Sequence, residues 1–125
     1  MRILLVEDND DDALLIRESL SGTALEIDRA ERLSTALAQL TSGKFDAVLL
    51  DLLLPDAWGL NTIRCFRGEA AAVPIVVLTG LNDEEIAMRA VEEGAQDYLF
   101  KGQADGHLLA RSLRYAIQRH RAEET

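Results

Sequence analysis

The 125-residue sequence has only one cysteine, two prolines and 5% aromatic residues. The single Cys65 excludes an internal disulfide and a cysteine-based metal site, and we expect it to pack against its neighbours. No apolar run approaches the roughly 20 residues that are needed to span a bilayer. With 48% hydrophobic and 28% charged residues, the composition is typical of one globular domain rather than a disordered chain.

Positive charge is also scarce. The 22 acidic residues outnumber the 13 basic ones, which gives a net charge of −9. The average electrostatic field therefore repels nucleic acids and anionic membranes, and we expect direct binding to neither. Glu7 and Asp8 follow the N-terminus too closely to leave room for the apolar core of a signal peptide. We therefore expect a cytoplasmic protein.

Five short segments have the pattern of β-strands. Segments 3–6, 47–50 and 75–78 are almost continuously apolar, which is typical of parallel strands that are covered on both faces. Segments 25–28 and 97–100 are more polar, as expected near the edges of a sheet. Between the five segments, apolar residues recur at helical spacing. The alternation predicts an α/β fold with three layers, a doubly wound, five-stranded parallel sheet between helices.

Gly43 and Gly94 stand where two of these helices should end. Asn82 or Asp83 can cap the start of the fourth helix, because their side chains accept hydrogen bonds from free backbone N–H groups. The helix boundaries therefore agree with the pattern of apolar residues.

Four of the predicted strands are followed by residues that can carry chemistry: Glu7 and Asp8, Asp51, Thr79 and Lys101. The carboxyl ends of parallel strands lie at one edge of a sheet, so we expect these side chains to share a crevice. Carboxylates bind Mg²⁺, and a lysine and a hydroxyl can contact phosphoryl oxygens. The sequence therefore predicts a site for phosphoryl transfer.

Four segments around these residues resemble the receiver domain of response regulators in two-component signalling. They read VEDN at 6–9, DLLLPDAWG at 51–59, PIVVLTG at 74–80 and GAQDYLFK at 94–101. The resemblance implies a flavodoxin-like (βα)5 fold with strand order 2-1-3-4-5. It covers residues 1–121, which leaves 122–125 as a tail or as the start of a linker to an effector domain.

The resemblance also implies roles for individual residues. Asp51 would be the phosphoacceptor, and Thr79 and Lys101 would contact the phosphoryl group. Mg²⁺ would be bound directly by Asp8, Asp51 and the backbone carbonyl of Leu53, and by Glu7 through a water molecule.

Tyr98 would be the switch residue whose ring moves on phosphorylation. The donor would be a sensor histidine kinase or a histidine phosphotransfer protein. The output would be a changed affinity of the face formed by the fourth helix, fifth strand and fifth helix, for an effector domain, another partner or a second copy. Such a protein is a signalling switch and not an enzyme, apart from its own phosphotransfer and dephosphorylation.

Gly102 departs from the family pattern, which usually has a proline after this lysine and a cis peptide bond before it. A cis bond costs roughly 2.5–4 kcal/mol without proline. We therefore expect a trans bond here, with the glycine in an unusual backbone conformation.

Three alternatives compete with this interpretation. Phosphatases of the haloacid dehalogenase type need a second acid two residues after the nucleophile, where this chain has Leu53. Flavin and nucleotide binders need a phosphate-binding loop after the first strand, where this chain has a run of acidic residues. A receiver-like module that binds partners without phosphorylation remains open, and Gly102 is its main support.

Overall fold

The computed structural model describes residues 1–52, 54–56, 59–69, 73–80, 84–102 and 105–124. Within these residues, five strands alternate with five helices along the chain. In chain order they are β1 (Arg2–Val6), α1 (Asp10–Ser19), β2 (Glu26–Ala30), α2 (Leu33–Ser42), β3 (Ala47–Asp51), α3 (Leu60–Glu69), β4 (Ile75–Thr79), α4 (Glu84–Glu92), β5 (Asp97–Phe100) and α5 (Gly106–Glu124).

All strand pairs are parallel, and the order across the sheet is β2-β1-β3-β4-β5. This order and the edge positions of β2 and β5 confirm the predicted fold. The boundaries of β2 differ from the prediction, because the strand lies at 26–30 instead of 25–28. Its last two residues, Arg29 and Ala30, pair with Leu5 and Val6 of β1. Pairing with β1 therefore extends β2 through Arg29, although a charged residue is unfavourable in a strand by its own propensity.

Helices cover both faces of the sheet and form two apolar layers. One layer joins α2, α3 and α4 to the sheet and includes Phe66, which is fully buried. The other joins α1 and α5 to the opposite face and includes Leu113. Alternate residues of the central strands enter opposite layers, as Leu4 and Leu5 do. Burial of each large side chain stabilises the fold by about 1.5–3 kcal/mol.

The helix ends agree with the predicted caps where they are described. Gly43 is the C-cap of α2, with an extended backbone at φ −118°. Gly94 follows α4 with φ +120°, a conformation that favours glycine. The predicted caps Asn82 and Asp83 lie outside the described residues. At the N-terminus of α1, the Asn9 side chain accepts a hydrogen bond from the Asp12 N–H at 2.9 Å, which is an N-cap that the sequence analysis did not single out.

The prediction that Cys65 packs into the protein is wrong, because the residue is exposed. Its neighbours on α3, Ile63 and Phe66, are fully buried. Those two residues define the face of α3 that meets the sheet, and Cys65 lies between them in sequence on the opposite side of the helix. The helical phase of α3 therefore turns the cysteine to solvent.

The last helix continues through residues 122–124, which the sequence analysis assigned to a tail. Basic side chains tie α5 back to the domain. Arg119 donates to the Gln96 carbonyl oxygen at 3.1 Å, Arg121 pairs with Asp46 at 3.0 Å, and Arg114 donates to the Thr23 carbonyl oxygen. Neither α5 nor any other helix in the described ranges combines the length and apolarity that a membrane span requires.

Gly106 generates the first prediction. This residue begins α5 and lies against the end of α1, where an added Cβ would come 1.8 Å from the Ser19 carbonyl oxygen. We expect Gly106→Ala to lower the free energy of unfolding by about 1–3 kcal/mol, because the two helix ends must separate. Urea denaturation measures this change.

Gly43→Ala is the control, because its Cβ would lie 3.1 Å from the Gln39 carbonyl oxygen and its φ suits any residue. It should lose less stability than Gly106→Ala. Equal losses for the two variants would contradict the close contact of α5 with α1.

Candidate functional site

The strand register brings the predicted site residues to one edge of the sheet. Glu7 directly follows β1, Asp51 and Thr79 are the last residues of β3 and β4, and Lys101 directly follows β5. Val6 is paired with Leu50, Asp51 with Leu78 and Thr79 with Phe100. The carboxyl ends of four neighbouring strands therefore form the floor of one crevice.

The ammonium group of Lys101 is the centre of this crevice. Its Nζ lies 3.1 Å from Asp51 Oδ2 and 2.9 Å from Asp12 Oδ2, and it also contacts Glu7 Oε1. Burial alone lowers the pKa of Lys101, but hydrogen bonds to Glu7 and Asp12 and the charge of Asp51 outweigh it and raise the pKa above its ordinary value. The lysine is therefore a permanent cation beside the Asp51 carboxylate.

Asp12 is a member of this cluster that the sequence analysis missed. It lies on the first turn of α1, next to Ala13 and before Ile16, both of which face the apolar layer. An acidic residue at the border of the buried face of a helix could have indicated a contact inside the protein. However, a run of aspartates at a helix start is also typical of a favourable interaction with the helix dipole. Only the fold shows that Lys101 reaches this turn.

Glu7 is almost fully buried, with 1% of its surface exposed. Burial, followed by the hydrogen bond to Asp51, raises the pKa of Glu7 to about 8, and Lys101 opposes this shift only in part. Without a metal ion, Glu7 therefore keeps its proton near neutral pH. A proton shared between two adjacent carboxyl groups is the usual result of close like charges in a protein interior.

Glu7, Asp8 and Asp51 form a cluster that fits a hard divalent cation. Each offers a carboxylate oxygen, and these oxygens lie within 4.8 Å of one another. Mg²⁺ prefers oxygen ligands and keeps several waters, so one or two direct carboxylates are enough. Asp8 is exposed, which leaves an open side for waters. The predicted fourth ligand, the carbonyl of Leu53, lies outside the described residues.

Thr79 is the last residue of β4, and Tyr98 lies on the neighbouring strand β5. Thr79 is fully buried, and its carbonyl oxygen accepts a hydrogen bond from the Lys101 N–H at 2.8 Å. Tyr98 is half-buried against the layer under α4, and its ring meets that of Phe100 edge to face at 5.8 Å. The switch function of Tyr98 remains a prediction.

The peptide bond between Lys101 and Gly102 is trans, and Gly102 has φ +84°. This confirms the expectation of an unusual glycine conformation. Proline could not adopt it, because its ring fixes φ near −65°. With Gly102 in this conformation, the Lys101 ammonium still contacts Asp51. The glycine in place of proline therefore does not move the ammonium away from the site.

Arg29 is a second residue that the sequence analysis missed. From the edge strand β2, its guanidinium donates to the Glu7 carbonyl oxygen at 3.0 Å and to Asp10 Oδ1 at 2.9 Å. These two contacts span the loop from β1 to α1, which carries Glu7 and Asp8. Arg29 thereby fixes the backbone of the acidic loop from outside the crevice.

Asp56, which follows Asp51 by five residues, connects this part of the chain to α2. Its carboxylate accepts hydrogen bonds from the N–H groups of Leu33 at 2.8 Å and Ser34 at 3.1 Å, at the start of α2. The side chain of the N-cap residue Arg32 does not cap the helix, and Asp56 caps α2 from another part of the chain. Slight burial raises the pKa of Asp56, but these hydrogen bonds outweigh it and lower the pKa below its ordinary value.

The raised pKa of Glu7 predicts how the metal-free protein responds to pH. Above pH 4.5, the ordinary pKa of a glutamate, the unfolded chain releases the proton that the folded protein keeps up to about pH 8. The free energy of unfolding should therefore fall between these two values as pH rises. Glu7→Gln should lack this component in urea titrations with a metal chelator present. Parallel profiles for the two proteins would contradict the assignment.

The contacts of Asp56 predict a loss of stability with the opposite pH dependence. Asp56→Ala should lower the free energy of unfolding by about 1 kcal/mol at neutral pH, because α2 loses its cap. The difference should shrink as acid protonates the native carboxylate. Asp56→Asn keeps one acceptor oxygen and should lose about half as much. Chemical denaturation at several pH values measures these differences, and an unchanged Asp56→Ala variant would contradict the cap.

Comparisons with known proteins identify the family of the chain. The family model of the response regulator receiver domain matches residues 3–112. The KDP operon transcriptional regulatory protein KdpE of Escherichia coli is 38% identical over 96% of this chain and 52% of its own length. The response regulator MprA of Mycobacterium tuberculosis is 34% identical over 99% of this chain and 54% of its own length. The chain thus spans about half the length of these relatives.

Among solved structures, the signal receiver domain of a putative LuxO repressor protein from Vibrio parahaemolyticus superposes with a TM-score of 0.87. It is 24% identical and covers 98% of this chain and 94% of that one, a likeness that concerns the fold alone. The crevice, the sequence relatives and the family model lead to one conclusion: the chain belongs to the response regulator receiver domain family.

Proposed function

We propose that Asp51 accepts a phosphoryl group from a phosphohistidine of a sensor histidine kinase or a histidine phosphotransfer protein, in a reaction that requires Mg²⁺. The observation that carries the proposal is the surroundings of Asp51. Its side chain is 5% exposed, contacts the Lys101 ammonium, and shares a cation-sized cluster with Glu7 and Asp8. An aspartate with only a structural role at a strand end would not need a lysine and two further acidic residues beside it.

The chemistry is a displacement at phosphorus. A carboxylate oxygen of Asp51 forms the new O–P bond, the P–N bond of the phosphohistidine breaks, and the imidazole nitrogen keeps the electron pair. Lys101 stabilises the negative charge on the phosphoryl oxygens, and Thr79 offers a hydroxyl donor at the same edge of the sheet. Bound Mg²⁺ would supply further neutralisation of these oxygens.

The same crevice favours a phosphoacceptor over the alternatives. Lys101 remains 3.1 Å from Asp51 with Gly102 beside it, so the main support for a phosphorylation-independent binding module is weakened. The haloacid dehalogenase and flavin alternatives lack their required residues in the sequence and do not fit the family.

We further propose that phosphorylation is read out on the face formed by α4, β5 and α5. Three large apolar side chains of α4 and α5 are exposed to solvent: Met88 is 58% exposed, Val91 41% and Tyr115 56%. Exposed apolar groups of this size are typical of contact surfaces when they cluster. The phosphoryl group would change the affinity of this face for an effector domain, another partner or a second copy of the chain.

Mass spectrometry tests the phosphoacceptor directly. With a small-molecule phosphodonor such as acetyl phosphate and Mg²⁺, the protein should gain one phosphoryl group, about 80 Da. Asp51→Asn should remove the adduct, because its amide cannot form an acyl phosphate, and a metal chelator should prevent it in the wild-type protein.

Asp11→Asn is the matched control, because Asp11 is exposed on the first turn of α1 and is not among the carboxylates that contact Lys101. This variant should still gain the phosphoryl group. An adduct that persists in Asp51→Asn, or its absence from the wild-type protein at saturating donor, would refute the proposal.

A further inference from the structure

Among the described residues, the Lys101 ammonium contacts three carboxyl groups, those of Glu7, Asp12 and Asp51. Asp12 is the one that neither the proposed acceptor role nor the metal cluster uses. Glu7 and Asp51 belong to the metal cluster. Asp12 contacts the ammonium at 2.9 Å from α1 and is 37% exposed at its side chain. A carboxylate without a part in the reaction therefore holds the cation that the reaction needs.

The surroundings of this pair strengthen its electrostatic effect. Asp12 and Lys101 lie at the edge of a cavity of about 220 Å³ between α1 and α5. The remaining walls are largely apolar and include Leu15, Leu78 and Leu109. Charges next to apolar walls are screened less than charges in open water. Because Asp12 and Asp51 contact the same nitrogen atom, the charge of Asp12 acts at short range on any group attached to Asp51.

We propose that Asp12 is a positioning residue that acts through Lys101 and opposes phosphorylation. It holds the ammonium toward α1, so that a phosphoryl group on Asp51 must compete with a fixed carboxylate for the same cation. The same negative charge assists a divalent cation at Glu7, Asp8 and Asp51. Asp12 therefore favours the metal-loaded, unphosphorylated protein over the phosphorylated one. This inference rests on the proposed function of Asp51.

Asp12 is proposed to strengthen cation binding and to weaken phosphoryl binding. These opposite effects distinguish it from a residue that only stabilises the structure. Asp12→Asn removes the charge and keeps the shape of the side chain, and the hydrogen bond from its own N–H to Asn9 involves only the backbone of residue 12. A variant that merely loosens α1 would weaken the binding of cation and phosphoryl group alike. A variant that releases Lys101 should weaken cation binding and strengthen phosphoryl binding.

Two titrations of Asp12→Asn test the inference. Calorimetry with Mg²⁺ alone should show a dissociation constant about five times higher than in the wild-type protein. At saturating Mg²⁺, the phosphoryl mimic fluoroberyllate should reach half-saturation at a concentration about five times lower, followed by NMR shifts of backbone amides. The NMR signal of the Lys101 Cε should also shift in the metal-free variant.

Asp11→Asn is again the matched control, because it removes the same charge one residue earlier without a contact to Lys101. It should change both constants less than about twofold. Equal changes in the two variants, or any Asp12→Asn result in which fluoroberyllate does not bind more tightly, would overturn the inference. If the wild-type protein binds no fluoroberyllate through Asp51, the proposed function fails instead, and the Mg²⁺ titration still reports on Asp12.

Discussion

The ammonium group of Lys101 offsets the repulsion among the carboxyl groups at the acidic edge of the sheet. Four carboxyl groups lie at this edge: Glu7, Asp8 and Asp51 offer oxygens within 4.8 Å of one another, and Asp12 contacts the same lysine. Like charges this close together repel one another. Lys101 contacts three of them, and the raised pKa of Glu7 removes a further charge near neutral pH. We propose that a divalent cation and a phosphoryl group each bind in this crevice and change these contacts.

The rest of the fold positions the groups around this cation. The parallel sheet sets the lateral spacing of the strand ends, and the two apolar layers hold the strands in register. Two side chains then support the segments beside the crevice: Arg29 binds the loop after β1, and Asp56 binds α2 from the loop after β3. Both hold backbone segments rather than reacting atoms, so the site is supported from outside.

Much of this could be predicted from the sequence, and the omissions have a common cause. Apolar runs and helical spacing predicted the fold class and most strand bounds, and polar residues after the strands predicted that Glu7, Asp51, Thr79 and Lys101 would lie at one edge. The strand order came from the family resemblance. Asp12, Arg29 and Asp56 were missed because their partners are distant in sequence and their residue types are ordinary for a helix start, an edge strand and a loop.

We propose that Asp51 is the phosphoryl acceptor and that Lys101 and Thr79 contact the transferred group. A crystal structure of the complex with Mg²⁺ and fluoroberyllate would show these contacts. Beryllium should be bonded to a carboxylate oxygen of Asp51, with the Lys101 ammonium and the Thr79 hydroxyl each donating to a fluorine. Fluoroberyllate on another side chain, or an Asp51 adduct that Lys101 does not contact, would contradict it.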